Sequence, residues 1–291
     1  MSINYKTSLC CLIAVLMTLI SACAGQQIRS KSSVVDYLYP KESATVVQPS
    51  IPTLHLPIKV GIAFVPEQSP GSRGINIWSG VVGGGALTEA NKSNLLKKVA
   101  DNFRGYDFVS DIEVIPSAYL TAGGGFANLE QIKTMYAIDV IALVSYDQVQ
   151  FTDEGLLSLT YWTLVGAYVV SGEKNDTSTL LDTAVYDIQS RKMLFRAPGT
   201  SNVKSSSTPI NLSEELRADS IKSFEDATTN MIANLTVQLE NFKEKIKQNP
   251  EQVKVVHREG YTGGAIGPFE TVIMMLLAGV LYFNRRIKSS R

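Results

Sequence analysis

Ile58-Lys59-Val60-Gly61-Ile62-Ala63-Phe64-Val65 is the stretch on which the fold turns. It is apolar, rich in β-branched residues and interrupted by one charge, which is the composition of a buried strand. Working outward, residues 86–103 place Leu87, Ala90, Leu95, Leu96 and Val99 near helical spacing, and 108–115 reads as a second strand. A helix over 129–136 and a strand over 138–150, centred on Val140, Ile141, Leu143 and Val144, follow. This β-α-β-α-β alternation predicts an α/β layer.

Three more strands are predicted over 156–170, 179–188 and 193–203, the last two joined by the polar stretch 187–192 as a tight hairpin. The 156–170 run carries no charge, but Ser158, Thr160, Thr163 and its β-branched and aromatic residues favour a long strand over a membrane span. Residues 213–246 set Ile221, Phe224, Thr228, Met231, Leu235, Leu239, Phe242 and Ile246 at steps of three and four, the pattern of one amphipathic helix. Ser213 is its expected N-cap, with Glu214 and Glu215 suited to the helix N-terminus. The expected fold class is therefore α/β (α+β): a β-α-β-α-β front, then antiparallel strands and a long C-terminal helix. A signal helix and a transmembrane helix are expected at the two ends.

The domain expected to carry this fold is 57–247. Before it, 23–56 is polar, holds Pro40, Pro49 and Pro52, and reads as a tether with 34–39 as a candidate docking segment. After it, 248–262 contains Pro250 and Gly260 and reads as a spacer.

The ends carry processing chemistry. Residues 1–22 have the layout of a secretory signal: Lys6, then an apolar run over 9–20 that is too short for a comfortable span. Ile20-Ser21-Ala22-Cys23 closes it, with small residues ahead of a thiol. Cys10 and Cys11 lie inside the signal, so a mature chain would keep only Cys23, which excludes a disulfide framework and cysteine-based metal sites. At the other end, Gly263-Gly264 precede an apolar run, with a transmembrane helix expected over about 268–283 and Arg285, Arg286, Lys288 and Arg291 beyond it. Those basic residues would anchor the tail on the cytoplasmic side, leaving 23–264 exported. The net charge is zero overall, but the 23–264 portion carries −4, which offers no electrostatic footing for nucleic acid.

Ile20-Ser21-Ala22-Cys23 resembles the lipobox of bacterial lipoproteins, which implies signal peptidase II cleavage and lipidation at Cys23. Ala24 in the next position implies sorting to the outer membrane. The 263–291 segment resembles a GlyGly-CTERM sorting signal, which implies cleavage near Gly263 and Gly264 by rhombosortase, a rhomboid-family serine protease. Together with Ser32-Ser33-Val34-Val35-Asp36-Tyr37-Leu38-Tyr39-Pro40, the two ends resemble the rhombotarget lipoprotein family. The middle pattern is similar to CsgG-like and TolB N-terminal envelope domains. The partners implied are lipoprotein-processing enzymes, rhombosortase and membrane lipid.

No catalytic constellation stands out. His55 and His257 are the two histidines, and both fall in expected spacers, without clustered metal or triad partners. Gly83-Gly84-Gly85 lacks the Lys and Ser/Thr of a phosphate loop, and it and Gly123-Gly124-Gly125 read as flexible loops that together could form a weak binding rim. Asp153-Glu154 reads as a turn, and Trp78 and Trp162 as packing residues. The Asn-x-Ser/Thr sites at Asn91, Asn175, Asn211 and Asn234 are taken as chance. The expectation is a non-enzymatic envelope lipoprotein without catalytic residues, metal or cofactor; the alternative is an oligomeric CsgG-like accessory of envelope assembly or secretion.

Overall fold

The computed structural model describes residues 26–40, 50–67, 87–154, 173–208 and 210–258. The lipobox with Cys23, the tail with Gly263 and Gly264, the arginine cluster, the 83–85 loop, both tryptophans and the strand expected over 156–170 lie outside them.

The chain forms a mixed α/β fold. Its strands are β1 (Gln26–Lys31), β2 (Thr53–Leu56), β3 (Ile58–Phe64), β4 (Val109–Val114), β5 (Val140–Glu154), β6 (Glu173–Asp187), β7 (Lys192–Ser207) and β8 (Lys254–His257). The helices are α1 (Val34–Leu38), α2 (Glu89–Phe103), α3 (Gly125–Tyr136) and α4 (Leu212–Gln248). The main sheet is six-stranded, in the order β4-β3-β5-β6-β7, with β1 also on β5.

β5 organises this sheet. Its first residues pair in parallel with β3, from Val60↔Val140 to Phe64↔Val144. Farther along the same edge it pairs antiparallel with β1, from Gln26↔Thr152 to Lys31↔Asp147. Its other edge pairs with β6 throughout, from Val140↔Asp187 to Glu154↔Glu173.

β3 connects through α2 to β4, and β4 connects back across β3 through α3 to β5. Crossovers of one hand in opposite directions put their helices on opposite faces of the sheet. Accordingly, α2 and α4 cover one core, containing Ile62, Phe64, Val99, Phe224 and Met231. α1 and α3 cover the other, containing Tyr37, Leu129, Ile132, Ile141 and Leu143. Burial on both sides explains why β3 and the start of β5 read as continuous apolar runs.

Local signals account for several boundaries. Thr88 caps α2 by accepting the Asn91 N–H at 3.2 Å. Asp187 accepts the Ser190 N–H at 2.8 Å and Arg191 takes a φ of 60°, closing the β6–β7 hairpin where the polar stretch predicted it. α4, at 37 residues, starts one residue before the expected Ser213. Its N-cap is Asn211, whose Oδ1 accepts from the Thr208 N–H at 2.7 Å, so Ser213 lies inside the first turn. Asp153 and Glu154 end β5, opposite Lys174 and Glu173, and do not form a turn.

Two larger expectations are corrected. Within the stretch 23–56 the described residues 26–40 do not form a tether: β1 adds to the sheet, and α1 buries Val34, Tyr37 and Leu38. Ser33 caps α1 through the Asp36 N–H, and the Tyr37 hydroxyl donates to Asn128 Oδ1 at 2.8 Å. Nor are the described residues of 248–262 a free spacer, because β8 pairs in parallel with β2, from Thr53↔Lys254 to Leu56↔His257. The domain therefore extends beyond 57–247 on both sides. No helix among the described residues is long and apolar enough to cross a membrane.

Candidate functional site

In an open α/β sheet the default ligand site is the crevice beyond the carboxyl ends of adjacent strands whose connections leave to opposite faces. β3 and β4 satisfy that condition. The groups gathered there are Glu67 after β3, Ser117 after β4, and Glu89 and Lys92 on the first turn of α2.

Lys92 is buried, with its ammonium 3.1 Å from Glu89 Oε1 and 3.5 Å from Glu67 Oε1. The Ser117 hydroxyl and N–H both donate to Glu89. Desolvation works against the ionised Glu89, yet its bonds from Ser117 and Lys92 hold the carboxyl below the usual glutamate range. Burial, followed by the Glu67 and Glu89 carboxylates, raises the Tyr146 hydroxyl well above the usual tyrosine range. One ammonium held between two carboxylates, which together leave a net negative charge, ties α2 to the strand ends.

The Gly123-Gly124-Gly125 loop at the start of α3 is occupied by the chain itself. Gly123 and Gly125 have φ of 68° and 58°. A Cβ on Gly125 would stand 3.2 Å from the Leu38 carbonyl oxygen, and one on Gly123 would stand 3.6 Å from Pro40 Cβ. Asn128 Oδ1 accepts the Thr121 N–H at 2.9 Å as well as the Tyr37 hydroxyl. The loop that read as flexible, with a binding rim as the weaker alternative, seats the end of α1.

The two histidines come onto neighbouring strands despite their separation in sequence, with His55 opposite Val256 and His257 opposite Leu56. That one-residue offset sends their side chains to opposite faces of the two-stranded sheet. Among the described residues no cluster of three metal-ligating side chains occurs.

The open volume lies elsewhere. Between α2, the C-terminal half of α4 and the sheet is a cavity of about 360 Å³. This is within the size range of small-molecule sites, taken as roughly 300–1,000 Å³. Sequence reasoning placed Leu54, Leu56 and Val255 in the tether and spacer and most of the other lining residues on strands and helices, and periodicity alone cannot distinguish a filled core from a hollow one. The cavity arises from the course of α4. Near its middle the helix lies against β7: a Cβ on Gly199 would fall 2.3 Å from the Ala227 carbonyl oxygen. The Asn234 amide donates to Pro198 O at 2.7 Å, and Asn230 Oδ1 accepts the Thr200 N–H at 3.1 Å. Beyond these contacts, Leu235, Leu239, Phe242 and Ile246 face the gap, which β2 and β8 border through Leu54, Leu56 and Val255.

No protein-family profile matches the chain, and no curated protein does. Among solved structures it is similar to a neuraminyllactose-binding hemagglutinin homolog from Helicobacter pylori, at 8% identity. That alignment covers 73% of this chain and 97% of the other, with a TM-score of 0.35. It is also similar to the PelC dodecamer from Paraburkholderia phytofirmans, at 12% identity over 70% of this chain and 99% of the other, with a TM-score of 0.27. Likenesses at this level carry no functional argument.

Proposed function

We propose that this protein is a non-enzymatic bacterial envelope lipoprotein, lipidated at Cys23 and released from a C-terminal anchor by rhombosortase-type cleavage near Gly263-Gly264. The observation that carries this reading is the pairing of Ile20-Ser21-Ala22-Cys23 with a Gly-Gly, apolar and arginine-ended tail around one folded domain. The described fold runs from Gln26 to Arg258, so it lies wholly between the two signals. In this reading the mature protein is held by lipid at the outer membrane or cell surface.

The two ends leave the domain far apart. Gln26 lies opposite Thr152, near the end of the β5–β6 ladder where Glu154 meets Glu173. Arg258 bonds through its N–H to Leu56 O and through its guanidinium to Asp139 at 2.8 Å, beside the start of β3 and β5. A precursor attached at both ends would lie with the ladder along the membrane, and removal of the tail would leave the Gln26 end as its attachment.

Intact-mass measurement of the protein from wild-type cells tests both processing steps. The expected mass is that of a chain beginning at acylated Cys23 and ending near Gly263. Cys23→Ala should abolish fatty-acid labelling, and replacing both glycines should leave the longer chain in the inner membrane. A mature protein that keeps its arginine tail would refute the processing scheme.

One observation favours a second reading, an oligomeric accessory of envelope assembly or secretion. Phe151 and Leu180 stand 43% and 39% exposed on the outward face of the β5–β6 ribbon. Cross-linking of the membrane-bound protein would give a ladder of oligomers in that case and only monomer otherwise.

A further inference from the structure

We propose that the cavity beneath α4 is a binding site for a single-chain anionic amphiphile: an aliphatic tail in the cavity and a carboxylate or phosphate head at its lysine edge. The proposal stands on the cavity and does not depend on how the chain ends are processed. Of the cavity's lining side chains, all are apolar except Thr183, Lys243 and Lys247. The Thr183 hydroxyl is already satisfied at 2.8 Å from Met231 Sδ, so the interior presents no unmet polar group to a ligand. An apolar space of this kind excludes water and accepts apolar matter. A ligand rich in hydrogen-bonding groups, such as a sugar or nucleotide, would find no partners inside.

The charge lies on one side and has one sign. Lys243 Nζ sits 5.0 Å from the Tyr106 ring centroid and 4.9 Å from that of Phe108. Lys247 lies one helical turn on. Each lysine has an i,i+3 partner at 2.7 Å, Glu240 and Glu244 respectively. Exposed pairs of that kind are weak and readily exchanged. Neither glutamate lines the cavity, so an anion at its edge meets ammonium groups first.

The protein's own N-terminal lipid would not fill this space. Ala142 lines the cavity, whereas Gln26 pairs opposite Thr152, ten residues along the same strand. At a rise of about 3.4 Å per residue, that separation is roughly 34 Å, and Cys23 precedes Gln26. The ligand proposed is therefore distinct from that lipid.

The test uses the full chain in phosphatidylcholine vesicles. Three photo-reactive probes of equal chain length are compared: a fatty acid, a lysophosphatidate and a fatty alcohol. Adducts are mapped by peptide mass spectrometry. Labelling of Phe103, Leu239 and Phe242, competed by unlabelled ligand, is expected for at least one anionic probe, and the stronger of the two distinguishes a carboxylate head from a phosphate. Lys243→Glu with Lys247→Glu should lower anionic labelling several-fold and leave the alcohol unchanged. Leu239→Trp, which narrows the cavity, should lower labelling by all three; should that variant fail to fold, the wild-type adduct map still decides. Adducts spread over the Phe151 and Leu180 surface without competition would overturn the proposal. So would anionic labelling indifferent to the lysine changes, or labelling that appears only after 271–283 is deleted, which would identify the chain's own tail as the occupant.

Discussion

At residue scale, close approaches and partnered charges make the sharpest demands. Gly199 is required because α4 lies on top of it: besides the Ala227 carbonyl, a Cβ there would stand 2.6 Å from the Met231 N. Both obstacles are backbone, so a methyl group must push the helix off the strand. Gly199→Ala should lower stability by about 1–3 kcal/mol or more, measured by thermal or denaturant unfolding. Glu89 provides a pH-dependent counterpart. Because its carboxyl is held below the ordinary value of 4.5, its contribution is present above that pH and is lost as the pH falls through the lower, folded-state value. The half-exposed site keeps the effect modest. Glu89→Gln should therefore flatten the acid limb of the stability–pH curve below about pH 4.5, and at neutral pH it should lower stability without changing the slope.

At the scale of elements, the α4–sheet interface changes character along its length. Toward the C-terminal half of α4 it is apolar and hollow. Toward the N-terminal half it is a buried polar seam. The Ser220 hydroxyl donates to Gln148 Oε1 at 2.6 Å, and the Gln148 amide donates to Thr179 Oγ1 at 2.8 Å. The Gln150 amide donates to the Leu216 carbonyl at 2.8 Å, and the Ser223 hydroxyl donates to Thr179 at 2.7 Å. Such groups fix the register of helix on sheet, because a slip leaves buried donors unpaired. Ser220→Ala should cost about 1–3 kcal/mol by stranding Gln148. Gln148→Leu added to it should recover part of that loss, so a double-mutant cycle by chemical denaturation should give a clear coupling energy. Helical periodicity identified α4 as an element, and its apolar positions were legible as a stripe. The serines on the same stripe look like solvent-facing residues in a linear sequence, since nothing local signals that glutamines on a distant strand await them.

At the scale of the whole molecule, the segment before the expected domain completes it. Deleting 26–39 would remove a strand from the β5 edge and strip Tyr37 and Leu38 from the core over α3. An unpaired edge beside exposed apolar surface invites aggregation, so this variant should lose soluble yield and show a lower unfolding midpoint. A tether would tolerate the same deletion. By itself the sequence determined the alternation of strands and helices, the β6–β7 hairpin and the long final helix. Each of these is written in residues that are neighbours along the chain, through periodicity, turn chemistry and β-branching. It also carries the Ile20-Ser21-Ala22-Cys23 and Gly263-Gly264 patterns on which the proposed processing rests, and these are short linear segments. Only the tertiary structure decided that β1 and β8 join sheets, that the Gly123-Gly124-Gly125 loop is filled by α1, and that the core beneath α4 is hollow. Those outcomes depend on contacts between residues as far apart as Gln26 and Thr152, or Leu56 and His257. A short polar strand gains its stability from the edge it meets, and a cavity from the angle at which a helix leaves a sheet; neither is encoded in any one stretch of the chain.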